Sequence, residues 1–213
     1  MATARIYRTF GTPTNLDKWT VSAWIKRGGI GDGEYIFQGW NASTTYTSLR
    51  FGTDSTLDFN NRTSGTYNGQ LITTRVFQDP SAWYHIVAVW DADNATPGDR
   101  MKIYVNGDEE TAFSTDTNPS SGQASYVASG DVCNIGVNNV SSDMFAGCMS
   151  WVQFVDGAAL AATDFGSVDA DSGIWKIKPG AYGTPGTNGF TLAMEDRSNL
   201  DLDSSSNAHT FTT

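Results

Sequence analysis

WYHIVAVWDADNATPGDRMKIYVNG, residues 83–107, is the stretch whose reading decides the fold. From Trp83 to Trp90 nearly every residue is apolar, aromatic or β-branched, which suits a strand covered on both faces. Met101 to Val105 gives a second, shorter run. Asn106-Gly107 supplies the positive φ that a type I′ hairpin needs, so Met101–Val105 is expected to pair with the segment that begins at Asp108.

Outward from this hairpin the chain keeps an all-β cadence. Ala4–Phe10 reads as an edge strand closed by a Gly-Thr-Pro-Thr-Asn turn. Trp19–Lys26 alternates Trp19, Val21, Ala23 and Ile25 against Thr20, Ser22, Trp24 and Lys26, a half-buried strand with a large aromatic on its second face. After a glycine-rich loop, strands are expected at Tyr35–Gln38, Ser48–Phe51, Thr56–Phe59 and Gln70–Phe77. A polar loop from Gly39 to Thr47 is expected to hold Trp40 and Tyr46. The stretch from Ala112 to Asp131 reads as polar, with a loop at Asn118–Gly122, and strands resume at Val132–Val137. Phe145–Leu160 changes parity between Met149 and Val152, which predicts a β-bulge near Ser150 and Trp151. AALAATDFG, ending at Gly166, is the one helix-like run.

Length and charge limit the possibilities. A chain of 213 residues is long enough for one sandwich with a sizeable core. The net charge of −10, with Lys and Arg scattered, argues against nucleic acid as a partner. MATARIYRTF has no apolar core of signal-peptide length, and no stretch is long and apolar enough for a spanning helix. The expectation is synthesis in a bacterial cytoplasm and no membrane insertion. Cys133 shares a parity with Ile135 and Val137, whereas Cys148 opposes Phe145, Gly147 and Met149. The two are read as free thiols on opposite faces of neighbouring strands.

W-Y-H-I-V followed by K-I-Y-V-N-G resembles the laminin-G-like jelly rolls of the concanavalin A-like lectin and glucanase superfamily, as do the W-T-V-S-A-W-I-K strand and the closing segment from Phe145. The resemblance implies a two-sheet antiparallel jelly roll over residues 1–166, with one short helix. Residues 167–213 form a C-terminal β arm that completes or extends it. That arm, with YGTPGTNGFTL and DLDSSSN, is similar to the tails of bacteriophage proteins, especially marine ones. Gly189–Met194 is expected to pair with the edge strand Ile6–Phe10, with a last strand near Thr210–Thr212; the alternative is an arm that reaches a neighbouring subunit.

Glucanases of this superfamily carry E-x-D-x-E on one strand, so that acid and nucleophile share a face. The chain has no such string, and its Glu residues are Glu34, Glu109, Glu110 and Glu195. No nucleophile elbow, phosphate-binding loop or zinc-ligand spacing occurs either. The chain therefore reads as non-enzymatic, and His85 as a packed core histidine bonded to backbone. Laminin-G-like domains often hold one calcium ion, for which Asp201 and Asp203, alternating around Leu202, are the candidate ligands; solvated acidic turns are the other reading. Trp40, Asn41, Tyr46, Asn60, Asn61 and Tyr67 are the candidate carbohydrate-binding residues, since aromatic faces stack on sugar rings while amides and hydroxyls bond their hydroxyls. The resemblance implies a surface protein of a phage particle. The main expectation is a structural capsid decoration or accessory protein; the alternative is a host-glycan-binding adhesin of the tail or head fibre, and a polysaccharide-degrading enzyme ranks last. Its expected partners are other virion proteins, a host-surface glycan and further copies of itself.

Overall fold

The computed structural model describes residues 5–31, 33–139, 143–180 and 182–213; Ala4, at the start of the expected first strand, lies outside them. Alternating apolar residues build two antiparallel sheets that share a core. The first strands are β1 (Ile6–Thr9), β2 (Lys18–Arg27), β3 (Glu34–Ala42), β4 (Thr45–Phe51), β5 (Thr56–Thr63) and β6 (Thr66–Val76). Then come β7 (Tyr84–Asp91), β8 (Met101–Val105), β9 (Asp108–Glu109), β10 (Phe113–Thr117), β11 (Val132–Ile135) and β12 (Gly147–Asp156). The last are β13 (Gly166–Val168), β14 (Trp175–Ile177) and β15 (Phe190–Leu192). One sheet has seven strands in the order β1-β11-β3-β4-β5-β6-β10, and the other has six in the order β15-β12-β2-β7-β8-β9.

Trp19 sits at the centre of the core. It stacks on Trp90 at 6.4 Å and meets Phe37, Phe59 and Phe154 at 5.7–5.9 Å. Its indole N–H donates to Ser125 Oγ at 2.7 Å. The Asn106-Gly107 turn has φ of 52° and 93°, and β8 pairs with β9 across it as the dipeptide predicts. The parity fault in β12 is a bulge between Ser150 and Gln153, where Trp151 takes a φ of 48°.

The run in β7 is apolar on both parities because both faces of its sheet are covered. Tyr84, Ile86, Ala88 and Trp90 enter the main core. On the other face Val87 and Val89 join Val155, Ala162 and Phe165 in a second core, against which Trp175 and Tyr182 pack. Ala158, Leu160, Ala162, Phe165, Trp175 and Tyr182 thus form a layer over the outside of the six-stranded sheet. Within that layer the helix-like run contributes one 3₁₀ turn, Ala162–Asp164, and Gly166 opens a strand instead of ending a helix.

Several expectations need correction. Trp40 and Tyr46 lie on β3 and β4, which pair as a hairpin, so the expected loop between Gly39 and Thr47 is mostly strand. The polar stretch after Ala112 holds β10, an edge strand on β6 whose exposed residues hide its β character. Cys133 is buried and Cys148 exposed, with no disulfide, but their strands belong to different sheets and are not neighbours. The C-terminal strand β15 does not pair with β1. Phe190 and Leu192 lie opposite Phe154 and Val152 on β12, where all four reach the main core. The edge strand β1 pairs with β11 on one side, and Thr212 bridges to Tyr7 on the other.

Candidate functional site

Strand alternation sorts the seven-stranded sheet into two faces. Leu49, Phe51, Leu57, Phe59, Leu71 and Ile135 enter the core. Their neighbours in sequence therefore point outward, in cross-strand rows fixed by register. One row runs Asn134, Gln38, Ser48, Asn60 and Gln70 across five strands. Beside it run Trp40, Tyr46, Arg62 and Tyr67, and on the other side Tyr35, Arg50 and Asp58.

The middle row is short and polar, and it is sunk. Gln38, Ser48 and Asn60 are 3%, 0% and 1% exposed although they face away from the core. The two flanking rows carry longer side chains that remain partly open to solvent at Trp40, Arg50, Arg62 and Tyr67. The result is a narrow polar strip, a trough closed over at its floor, between flanking rows of aromatic and guanidinium groups.

The walls are fixed by mutual contacts. Arg62 lies 5.9 Å over the Tyr46 ring and 5.2 Å over the Tyr67 ring. Opposite, Arg50 donates to Asp58 at 2.8 and 3.0 Å and lies 5.6 Å over Tyr35. Burial pushes the Tyr35 phenol up to about 12, and burial followed by the Tyr46 contact raises Tyr67, so both hydroxyls stay protonated at neutral pH. On the floor, Asn139 N–H donates to Gln38 Oε1 at 2.7 Å, and Ser48 Oγ donates to Asn60 Oδ1 at 3.0 Å. That bond fixes the orientation of the Asn60 amide. Asn60 Nδ2 is left buried with no hydrogen-bond partner among the described residues. A buried amide N–H without a partner costs ~1–3 kcal/mol, which an acceptor recovers if the flanking side chains part to admit it.

Of the residues singled out from sequence, the fold gathers Trp40, Tyr46, Asn60 and Tyr67 in this trough. Asn41 and Asn61 serve elsewhere. Asn41 is exposed and bonds Asp131 at 2.8 Å, while Asn61 turns inward, accepts from Thr47 at 2.5 Å and ties down Asn68 and the Ala124 carbonyl. Gln38, Arg62 and Gln70 were missed because nothing local marks them. Their rows exist only once non-adjacent strands are aligned.

Of the two candidate calcium ligands, Asp201 is half-buried, and Asp203 is engaged by backbone. Asp203 is buried and accepts the backbone N–H groups of Thr191, Ser205 and His209, so it staples the C-terminal segment internally. In the β7–β8 loop Asp91 and Asp99 each face a lysine, Lys18 at 3.1 Å and Lys102 at 3.0 Å. Among the described residues no group of three or more His, Cys, Asp or Glu side chains is placed to hold a metal ion.

His85 is fully buried, yet it faces the outer side of the six-stranded sheet and bonds side chains, not backbone. Its Nδ1 accepts from Trp175 Nε1 at 2.9 Å, and Nε2 lies 2.9 Å from Ser22 Oγ. The Nδ1 acceptor makes Nε2–H the donor to Ser22. Burial pushes its pKa down to about 3, so the ring is neutral.

A family model of the concanavalin A-like lectin/glucanases superfamily, laminin G type, matches residues 5–163. Among solved structures, the chain is similar to a heptameric SAP-like pentraxin from Limulus polyphemus, at 20% identity, covering 76% of this chain and 80% of that one, with a TM-score of 0.50. It is also similar to domain 4 of AbnA, a GH43 extracellular arabinanase from Geobacillus stearothermophilus in complex with arabinotriose, at 18% identity, 69% and 64% coverage and a TM-score of 0.50. A third likeness is to the CBM40 of the Ruminococcus gnavus IT-sialidase, at 12% identity, 76% and 96% coverage and a TM-score of 0.50. At such identities these likenesses bear on fold alone. No curated protein sequence matches the chain.

Proposed function

Because the chain belongs to the laminin G-like family of the concanavalin A-like lectin/glucanases superfamily, we propose that it is a non-catalytic glycan-binding protein whose binding surface is the trough on the seven-stranded sheet. The observation that carries this reading is Asn60. Its Nδ2 is buried with no hydrogen-bond partner among the described residues, in the row beside Tyr46 and Tyr67. A sugar laid in the trough stacks its apolar face on the Trp40, Tyr46 and Tyr67 wall and offers hydroxyl oxygens to Asn60, Gln70 and Arg62. The arabinotriose-bound arabinanase domain shares the fold, a precedent for a sugar-binding surface on such a sandwich. The reading is non-catalytic because the family's three-carboxylate strand motif is missing from the sequence.

In this proposal the protein is a surface component of a phage particle and engages a host glycan there, alongside other virion proteins and further copies of itself. The particle setting is supported by the resemblance of residues 182–192 and 201–207 to the C-terminal segments of bacteriophage proteins. A structural decoration role without sugar binding remains the rival. A glycan array with the pure protein separates the two. Saturable binding weakened at least tenfold by Tyr67→Ala, with the melting temperature unchanged, is the expected result. Silence across an array rich in bacterial-surface glycans leaves decoration as the function. Detection of the chain on intact particles by labelled antibody tests the setting.

A further inference from the structure

The outer face of the six-stranded sheet carries a second constellation, built by a different part of the chain. Register places Ser150, Trp24 and His85 side by side on β12, β2 and β7, and Asn106 follows at the start of the β8–β9 turn. Trp24 stacks on His85 at 4.8 Å with 18° between the planes. His85 in turn lies 26° from the plane of Trp175, and the indole N–H donates to His85 Nδ1, so the two rings lie almost side by side in one sheet of aromatic surface.

Trp175 is held unusually tightly for a residue on a three-residue strand. A Cβ at Gly107 would come within 2.7 Å of its ring, and one at Gly166 within 2.5 Å, so the indole occupies a slot between two glycines. These contacts and the bond to His85 fix its rotamer before any ligand arrives. Between this ring, Trp24 and Trp83 lies a cleft of about 490 Å³, within the usual size range of small-molecule sites. Ile174 and Ile177 close one side, and Ser150 and Asn106 supply the polar groups. No residue that lines the cleft is charged, and His85 behind it is neutral. Trp83 is 43% exposed and belongs to neither core, so its indole stands open at the rim.

We propose that this cleft is a second glycan site, which takes one neutral sugar residue with its apolar ring face on the exposed indole surface and its hydroxyls toward Asn106 and Ser150. The inference rests on the glycan-binding reading above but not on the trough. A preorganised, uncharged, three-tryptophan wall with two polar groups suits a ring that is apolar on its face and polar at its edge. A charged ligand finds no partner there. Trp175, Ile174 and Ile177 lie beyond the residues that match the family model, so the site belongs to what this chain adds to the sandwich.

The test is titration of the full chain, followed by tryptophan fluorescence and calorimetry, with arabinotriose, cellotetraose, laminaritetraose and agarotetraose. Wild type is compared with Trp83→Ala and Tyr67→Ala. Trp83 lies outside both cores, so the variant is expected to keep its melting temperature. The expected result is at least one sugar whose affinity falls tenfold or more in Trp83→Ala and is unchanged in Tyr67→Ala. Binding that responds to Tyr67→Ala alone overturns the cleft and leaves the trough reading standing. Binding that responds to neither variant, or no binding of any of the four, overturns the cleft as well. Light scattering on the same samples covers the remaining occupant: a wild-type dimer that Trp83→Ala converts to monomer makes the cleft a subunit contact and overturns the proposal.

Discussion

Arg27 and Glu34 form an ion pair at 2.6 Å between the two sheets, with side chains that are 0% and 1% exposed. Arg27 also donates to the Phe77 carbonyl at 2.5 Å and lies 4.3 Å over the Phe51 ring, and Glu34 Oε1 accepts from Ala146 N–H at 3.1 Å. The pair thus closes one end of the sandwich, where β2 crosses through the glycine-rich loop to β3. Desolvation offsets most of the attraction in such a pair, so its removal as a unit costs little while its halving strands a buried charge. Glu34→Ala is expected to lose ~3–5 kcal/mol in urea unfolding, and the double change Arg27→Met with Glu34→Leu to recover most of it. Equal losses in the single and double variants would contradict this account.

His85 makes stability depend on pH. Its folded pKa, pushed down by burial to about 3, lies below the ordinary imidazole value of 6.5, so the unfolded chain binds a proton that the folded chain refuses. The stability held by the neutral ring is complete above about pH 6.5 and is lost as pH falls from there toward 3, at a slope of up to ~1.4 kcal/mol per unit. Urea midpoints at pH 7, 5.5 and 4.5 are expected to fall more steeply for wild type than for His85→Gln. Parallel profiles would mean that the imidazole protonates in place.

Gly39 connects the trough to the loop behind it. A Cβ there would collide with the Tyr126 carbonyl, part of a loop also held by the Thr47 hydroxyl through Tyr126 N–H at 2.9 Å. Gly39→Ala is expected to cost ~1–3 kcal/mol, because backbone on one side or the other has to move. Since Gln38 and Trp40 flank it, glycan affinity should fall with stability. A variant as stable as wild type would show that the loop yields freely.

The sequence made the fold legible where periodicity was local. The β7–β8–β9 unit, the alternation of β2 and the bulge in β12 follow from side chains within ten residues of one another. The trough was legible only in part. Trp40, Tyr46 and Tyr67 stand out as large rings in polar surroundings and Asn60 as an amide near them, but Gln38 and Ser48 join Asn60 only through register across β3, β4 and β5. The tryptophan cleft was not legible at all. It joins Trp24 to Trp175 across a long stretch of chain, through a histidine whose outward orientation depends on a cover that the sequence does not announce. The partner of β15 was misassigned for a related reason: β1 and β12 were both open edges, and the choice between them turns on which one presents core residues opposite Phe190 and Leu192.

That choice determines what the C-terminal segment does. Phe190 stacks on Phe154 at 5.8 Å and meets Phe211 edge-on at 5.0 Å; Leu192 lies opposite Val152, and Phe190 and Leu192 are 0% exposed. Asp156, at the end of β12, accepts the N–H groups of Thr14 and Asn188 at 2.8 and 3.0 Å, so the segment also braces the first turn of the chain. Full burial of Phe190, Leu192 and Phe211 contributes ~1.5–3 kcal/mol each, a sum comparable to the whole net stability of an ordinary domain, ~5–15 kcal/mol. A chain ending at Gly166 is therefore expected to be unfolded or insoluble, not a folded domain lacking an assembly arm. Phe190→Ala in the full chain should cost ~3–5 kcal/mol. Circular dichroism and thermal melts of the truncated chain decide between the two pictures. A cooperative melt with native-like near-ultraviolet signal would show that the segment is an appendage, whereas loss of both would show that the sandwich needs β15 to close its core.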